Sequence, residues 1–124
     1  MIVAFDVDDT LIVPSVALGF GDSVPNYEIV HLAMWHLAQG HIVVIWSGSG
    51  IGWATRWSEK LGLVHENTRI WTKEKALDSK DQPLVDIAYD DMDVDLAKVN
   101  IRVKRINNSV SRAVWNKTKQ ENQT

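Results

Sequence analysis

Two short, uninterrupted apolar runs, residues 2 to 5 and 42 to 46, are each succeeded at once by polar or glycine-rich sequence. Runs of this length without alternation predict strands buried on both faces. Between them Ile29, Val30, Ala33, Met34 and Leu37 recur at helical spacing, which predicts a helix with Asn26 as its N-cap and Gly40 as its exit. Ser47-Gly48-Ser49-Gly50 breaks the second run, and a second helix is expected to extend to about Leu61, with Gly62 as its stop. Further on, residues 68 to 71 predict a short strand and residues 73 to 78 a single helical stretch. Residues 84 to 89 predict another strand, running into Asp90-Asp91. Over residues 100 to 106, Ile101 and Val103 alternate with Arg102 and Lys104, the pattern of a half-exposed edge strand. Pro14, Gly19, Gly21 and Pro25 make residues 11 to 25 an irregular loop or small flap, and the last dozen residues read as a frayed end.

Strands alternating with helices predict an α/β, three-layer Rossmann-like fold: a mainly parallel five-stranded sheet, helices on both faces, right-handed crossovers. In such open sheets ligands bind beyond the carboxyl ends of the strands. Three of the predicted strands end in polar residues: Asp6 to Asp9, Ser47 to Gly50, and Asp90-Asp91. A chain of 124 residues supports one core and no cap domain. The expected organisation is a single domain over residues 1 to 108 and a polar, basic C-terminal tail over 109 to 124.

Composition narrows the classes. Apolar residues at 45% and charged residues at 23% are ordinary for a globular domain and argue against disordered, collagen-like and membrane proteins. No apolar run approaches the roughly 18 to 20 residues that span a bilayer, and the opening residues lack a basic leader, so the expected location is cytoplasmic, away from membranes. With no cysteine, disulfides and thiolate chemistry are excluded. The four histidines, at 31, 36, 41 and 65, lack the i, i+4 spacing of a helical zinc pair. Trp53 and Trp57 stand one helical turn apart and are expected in the core, the other reading being a stacking surface for a base or sugar. Charge is lopsided: residues 1 to 97 hold 6 basic and 15 acidic side chains, residues 98 to 124 hold 7 basic and 1 acidic. The basic segment is either a solvated end or a contact for an anionic partner such as nucleic acid.

The densest chemistry is Asp6-Val7-Asp8-Asp9-Thr10-Leu11. Three carboxylates this close at the end of a buried strand are costly unless a cation or proton compensates. Mg²⁺, which takes a few carboxylates plus water and phosphate oxygens, suits such a cluster. Residues 3 to 11 resemble the first signature of the haloacid dehalogenase-like (HAD) superfamily. Val43-Val44-Ile45-Trp46-Ser47-Gly48 is similar to its second, Lys80 to its third, and Asp90-Asp91 after a strand to its fourth. The four occur in the superfamily's order.

This resemblance implies a HAD-like fold of the small capless type and a Mg²⁺-dependent phosphatase. Asp6 would be the nucleophile that forms an aspartyl-phosphate, and Asp8 the acid and base serving the leaving oxygen and the attacking water. Mg²⁺ would be held by Asp6, the backbone carbonyl of Asp8, and Asp90 or Asp91; a frame using Asp91 and Asp95 is also open. Ser47 and Gly48, with the positive end of the next helix, would bind the phosphoryl group. Lys80 would neutralise its charge, with Lys75 or Lys73 as substitutes. Lacking a cap, the pocket would lie open to a large phosphomonoester such as a nucleic-acid end or nucleotide, or be covered by oligomerisation. Two other readings compete. A receiver-like regulatory module would need its phosphorylated aspartate after a middle strand, where this chain has Ser47-Gly48. A non-catalytic phosphate-binding protein would use the same scaffold without turnover.

Overall fold

Both apolar runs form central strands in the computed structural model, which describes residues 1–14 and 23–106. Strand β1 (Ile2–Asp6) leads to β2 (Ile12–Pro14), β3 (Ser23–Pro25), helix α1 (Tyr27–Ala38), β4 (Ile42–Trp46) and helix α2 (Ile51–Lys60). Then come β5 (Thr68–Ile70), a 3₁₀ turn (Lys73–Ala76), β6 (Val85–Asp90) and β7 (Ala97–Arg102). The five-stranded sheet has the order β5-β4-β1-β6-β7, and all of its neighbours run parallel. Because β1 and β4 have apolar neighbours above and below, their runs carry no alternation: Val3, Ala4, Phe5, Val43, Val44 and Ile45 are all fully buried.

From β1 the chain winds outward through α1 to β4 and through α2 to β5, then returns across the sheet to β6 and β7 on the other side of β1. The winding direction therefore reverses between β1 and β6. At such a switch point the two connections leave in opposite directions and a crevice opens above the strand ends. Asp6 ends β1 and Asp90 ends β6.

Reversal also decides the layers. Both helices pack on one face of the sheet, where Ile29, Val30, Ala33 and Leu37 of α1 and Ala54 and Trp57 of α2 meet Val3, Phe5, Val43 and Ile45. On the other face Ala4, Val44, Trp46 and Ala88 are covered by Ala76 of the 3₁₀ turn together with Trp71 and Leu96. The expectation of helices on both faces is therefore corrected: among the described residues the second face carries a 3₁₀ turn and extended chain. The four residues Lys73–Ala76 are too few to overcome the cost of nucleating an α-helix. Immediately after them an isolated bridge between Leu77 and Pro83 draws the chain into extended geometry. Residues 91–96, linking β6 to the parallel β7, are shorter than the usual helical crossover. At roughly 3.3 Å per residue an extended segment of that length still descends one six-residue strand.

Two boundaries also differ from expectation. Part of residues 11 to 25 is regular, since β2 and β3 pair antiparallel with Ile12 opposite Pro25 and Pro14 opposite Ser23. The prolines sit at the ends of this ribbon, where a missing N–H costs no ladder bond. The edge strand begins at Ala97 rather than at residue 100, because the Asn100 side chain accepts the N–H groups of Leu96 and Ala97 and orders the start. The tail over 109 to 124 lies outside the described residues. No helix among those described is long and apolar enough to cross a membrane.

Candidate metal and catalytic site

Asp6 is delivered by the central strand β1, buried from Val3 onward, and the chain turns tightly just beyond it. The Val7 carbonyl accepts the N–H groups of Leu11 and Ile12 at 3.0 and 3.1 Å, and Asp9 takes the left-handed conformation at φ 61°. Aspartate tolerates that region better than most residues, so the acidic run suits the turn as well as the chemistry. The turn separates the carboxylates that the sequence places side by side.

Asp6 faces across to β6. Phe5 is the register partner of Tyr89, so the next residues, Asp6 and Asp90, leave adjacent strand ends together. One carboxylate oxygen each from Asp6, Asp90 and Asp91 lie within 4.8 Å of one another, and all three residues are buried. Asp90 is held on one side by the Met92 N–H, which donates to its Oδ1 at 3.0 Å. Two cations touch the trio. Lys73 Nζ lies 3.2 Å from Asp6 Oδ1 and 2.8 Å from Asp90 Oδ2, and Arg105 Nε lies 2.8 Å from Asp91 Oδ2.

Burial, reinforced by the charge of Asp90, pushes the Asp6 carboxyl up from 3.8 to about 7, with Lys73 acting in the opposite direction. For Asp91 burial works upward too, but the hydrogen bond from Arg105 and those shared with Asp6 and Asp90 outweigh it and hold the group below its ordinary value. Burial would lower Lys73; its hydrogen bond to Asp90 and the charge of Asp6 prevail, and it is raised. An oxygen-only donor set of three carboxylates fits a hard divalent cation and offers nothing to a soft one. The cluster is thus able to hold a metal ion.

The raised carboxyl gives the site a pH signature. Between about pH 4 and 7 folded Asp6 keeps a proton that the unfolded chain has released, so in EDTA stability should fall as pH rises through that window. A divalent cation held by the cluster would take the place of that proton, so a rise in Tm on adding a millimolar divalent cation such as Mg²⁺ should be larger at pH 8 than at pH 5. Thermal melts at the two pH values check this; a cation effect that is absent, or that survives in Asp90→Asn, counts against the cluster as its origin.

Asp8 stands apart from the trio. Its carboxylate accepts the Trp53 indole N–H, at 3.3 Å to Oδ1 and 3.2 Å to Oδ2, and the Ser47 hydroxyl donates to Oδ2 at 3.5 Å. Ser47 ends up here because β4 is the parallel neighbour of β1, with Trp46 opposite Asp6. Its hydroxyl accepts the Ser49 N–H at 3.0 Å, and Gly50, at φ 100°, makes the left-handed step into α2 that a side chain would strain. Gly48 is exposed, and a Cβ there would meet nothing within 4 Å, so the approach to the Ser47 turn is open.

The lysine is the main correction. Lys80 is exposed, and its backbone N–H donates to Asp78 Oδ1 in a turn preceding β6. That turn feeds the amino end of β6, whereas Asp90 sits at the carboxyl end, a six-residue strand away. Lys73 comes just after β5 at the carboxyl edge of the sheet and reaches the cluster directly. Lys75 is exposed, and Asp95 is exposed on the descending segment outside the acidic trio. Of the two tryptophans expected in the core, Trp57 lies within it and Trp53 is partly buried and packed against it, its ring edge-on to Trp57 at 6.0 Å, while its N–H is directed at Asp8. The available signal was its position three residues beyond Gly50, on the helix that Ser47-Gly48-Ser49-Gly50 introduces. Among the histidines, His36 is a buried residue whose Nδ1 lies 2.9 Å from His41 Nδ1.

Compared with protein-family models, curated proteins and solved structures, the chain finds no match. Fold and site by themselves define its class: an α/β protein with a parallel five-stranded sheet, carrying at its switch point a buried acidic cluster able to hold a metal ion.

Proposed function

We propose that this protein is a Mg²⁺-dependent phosphohydrolase of the HAD-like type, acting on a phosphomonoester through an aspartyl-phosphate at Asp6. One observation carries the reading: the chain places one carboxylate, Asp6, in a buried acidic trio able to hold a cation, beside Lys73, and holds a second, Asp8, separately on Trp53 and Ser47. Their surroundings suit two roles: a cation bound by the trio would displace the proton of Asp6 and free it to attack, while Asp8, outside the trio, is left to carry the proton.

An Asp6 oxygen attacks phosphorus; the new P–O bond to Asp6 forms as the bond to the leaving oxygen breaks, and Asp8 gives that oxygen a proton. In the second half Asp8 takes a proton from water, whose oxygen attacks the same phosphorus. Inorganic phosphate leaves and Asp6 is regenerated. Mg²⁺, held by Asp6, Asp90 and Asp91, would supply positive charge to the phosphate oxygens and offset the repulsion between two anions. Lys73 adds a fixed positive charge at the same place, and the Ser47 hydroxyl with the turn at Gly48 receives the remaining phosphate oxygens. Nucleotides and nucleic-acid ends are the substrate class we favour, because the basic residues near the end of β7 adjoin the acidic cluster.

The test is hydrolysis of p-nitrophenyl phosphate and of 3′- and 5′-phosphorylated oligonucleotides with Mg²⁺. Turnover that is abolished by EDTA supports the reading. Binding of phosphate without turnover of any substrate would instead support a non-catalytic phosphate-binding protein.

Trp53→Phe keeps the ring and removes the donor. If the indole N–H aims Asp8, kcat should fall by roughly 10-fold, in line with the loss of about one charge-assisted hydrogen bond, while KM changes little. Steady-state kinetics with a thermal melt check this; a rise in KM at constant kcat would assign Trp53 to substrate binding instead.

A further inference from the structure

Beside the acidic cluster, the end of β7 and the residues after it build a wall that hydrolysis at Asp6 leaves unused. Arg102 Nε donates to the Asp91 carbonyl at 3.3 Å, and Arg105 Nε is 2.8 Å from Asp91 Oδ2 and 3.8 Å from Asp9 Oδ2. With Lys104, Met92, Val103 and Asp91 these residues line a cavity of about 580 Å³. Asp91 belongs to the metal-binding trio and to this cavity at once, so the two spaces share a wall.

The three cations are not equivalent. Arg105 is committed to Asp91 and Asp9 and is accounted for by the acidic cluster itself. Arg102 and Lys104 have no carboxylate within 4.0 Å among the described residues. Arg102 is fixed through Nε to a backbone carbonyl, which limits its motion and leaves its terminal N–H groups without a partner among the described residues. A guanidinium anchored in this way loses little further freedom when it takes a phosphate in its fork. The volume lies within the range of pockets that enclose small ligands, and Met92 and Val103 offer an apolar side to a sugar or base.

We propose that this cavity is a subsite for a second phosphate: the substrate is a phosphomonoester whose leaving group itself carries a phosphate, held by Arg102 and Lys104. The proposal rests on the phosphohydrolase reading of the adjoining site. Two sources share this chemistry, a nucleoside bisphosphate and the phosphorylated end of an oligonucleotide chain.

The experiment compares kcat/KM for a nucleoside 5′-monophosphate, the matching nucleoside 3′,5′-bisphosphate and a 5′-phosphorylated tetranucleotide, with p-nitrophenyl phosphate alongside. The wild type should prefer at least one of the two substrates that carry a further phosphate to the monophosphate by 10-fold or more, and that preference should shrink as salt is raised. In Arg102→Ala/Lys104→Ala the preference should collapse to within about twofold, mostly through KM. Lys98→Ala removes an exposed lysine of the same strand that pairs with Asp86, and should keep the preference. Whichever of the two leads identifies the source. A wild type that turns over p-nitrophenyl phosphate but shows no preference, or a preference that the double variant retains, overturns the subsite alone. A wild type inert toward every substrate overturns the phosphohydrolase reading, and the subsite with it.

Discussion

Asp6→Asn should lower kcat on p-nitrophenyl phosphate by at least about 10³-fold while leaving the folded protein as stable as the wild type, or more stable, in EDTA. The loss of activity comes from chemistry. An amide of nearly the same shape fills the same place, yet its oxygen lacks the charge to displace an alkoxide from phosphorus, and loss of a covalent nucleophile elsewhere costs up to about 10⁶. The retained stability comes from burial. Asp6 is 6% exposed and faces Asp90, so its ionised form is held against both desolvation and like charge. Asparagine removes that cost, while Lys73 keeps Asp90 as partner at 2.8 Å. Activity should thus collapse while Tm holds or rises, which an ordinary core residue would not produce. A variant that loses activity and stability together would mark Asp6 as a structural residue, and one that keeps full activity would end the aspartyl-phosphate mechanism. Because Asn offers one neutral oxygen in place of the carboxylate, the stabilisation by Mg²⁺ should weaken as well.

Lys73→Ala and Lys80→Ala should separate just as widely. Removing Lys73 leaves two buried carboxylates without their shared cation. Breaking a buried pair costs about 3 to 5 kcal/mol, and the low end applies because the Lys73 side chain is 29% exposed. Activity should fall by roughly 10² to 10³, the range for loss of one fixed charge or donor at a reacting anion. Lys80 is exposed in a turn at the far end of β6, so its truncation should change stability by less than about 0.5 kcal/mol and activity hardly at all. Urea unfolding and the phosphatase assay on both variants decide the matter. Partial recovery of Lys73→Ala stability on adding Mg²⁺ would tie the loss to the carboxylates themselves. The reverse ranking, with Lys80→Ala inactive and Lys73→Ala normal, would require the chain between β5 and β6 to rearrange before catalysis.

These two lysines show how far local pattern reaches. Asp6, Asp90 and Asp91 are legible because they stand at the end of a largely apolar strand or one residue beyond it, and a strand fixes where its last residue emerges. Ser47 is legible for the same reason, one residue beyond β4. Lys73 and Lys80 both lie in the connection between β5 and β6, where no hydrophobic period sets a direction. Which of them reaches the cluster depends on where the connection crosses from the carboxyl edge of the sheet to the amino edge. The Leu77–Pro83 bridge and the turn at Asp78 place Lys80 after that crossing. Trp53 was hidden differently. Its one-turn spacing from Trp57 is the ordinary mark of a core face, and periodicity says nothing about where an indole N–H points.

The sequence by itself determined the strands that bury both faces, the two amphipathic helices between them, and the acidic residues waiting at the strand ends. All of these are short-range consequences of which side chains must leave water and of how many residues make a turn. Only the tertiary structure decided that both helices share one face, that Asp8 turns away from the acidic trio toward Trp53, and that Lys73 supplies the cation. Those outcomes depend on strand order and on the paths of the connections. They bring together residues far apart in the chain, such as Asp6 and Asp91 or Asp9 and Arg105, through contacts that no local pattern encodes.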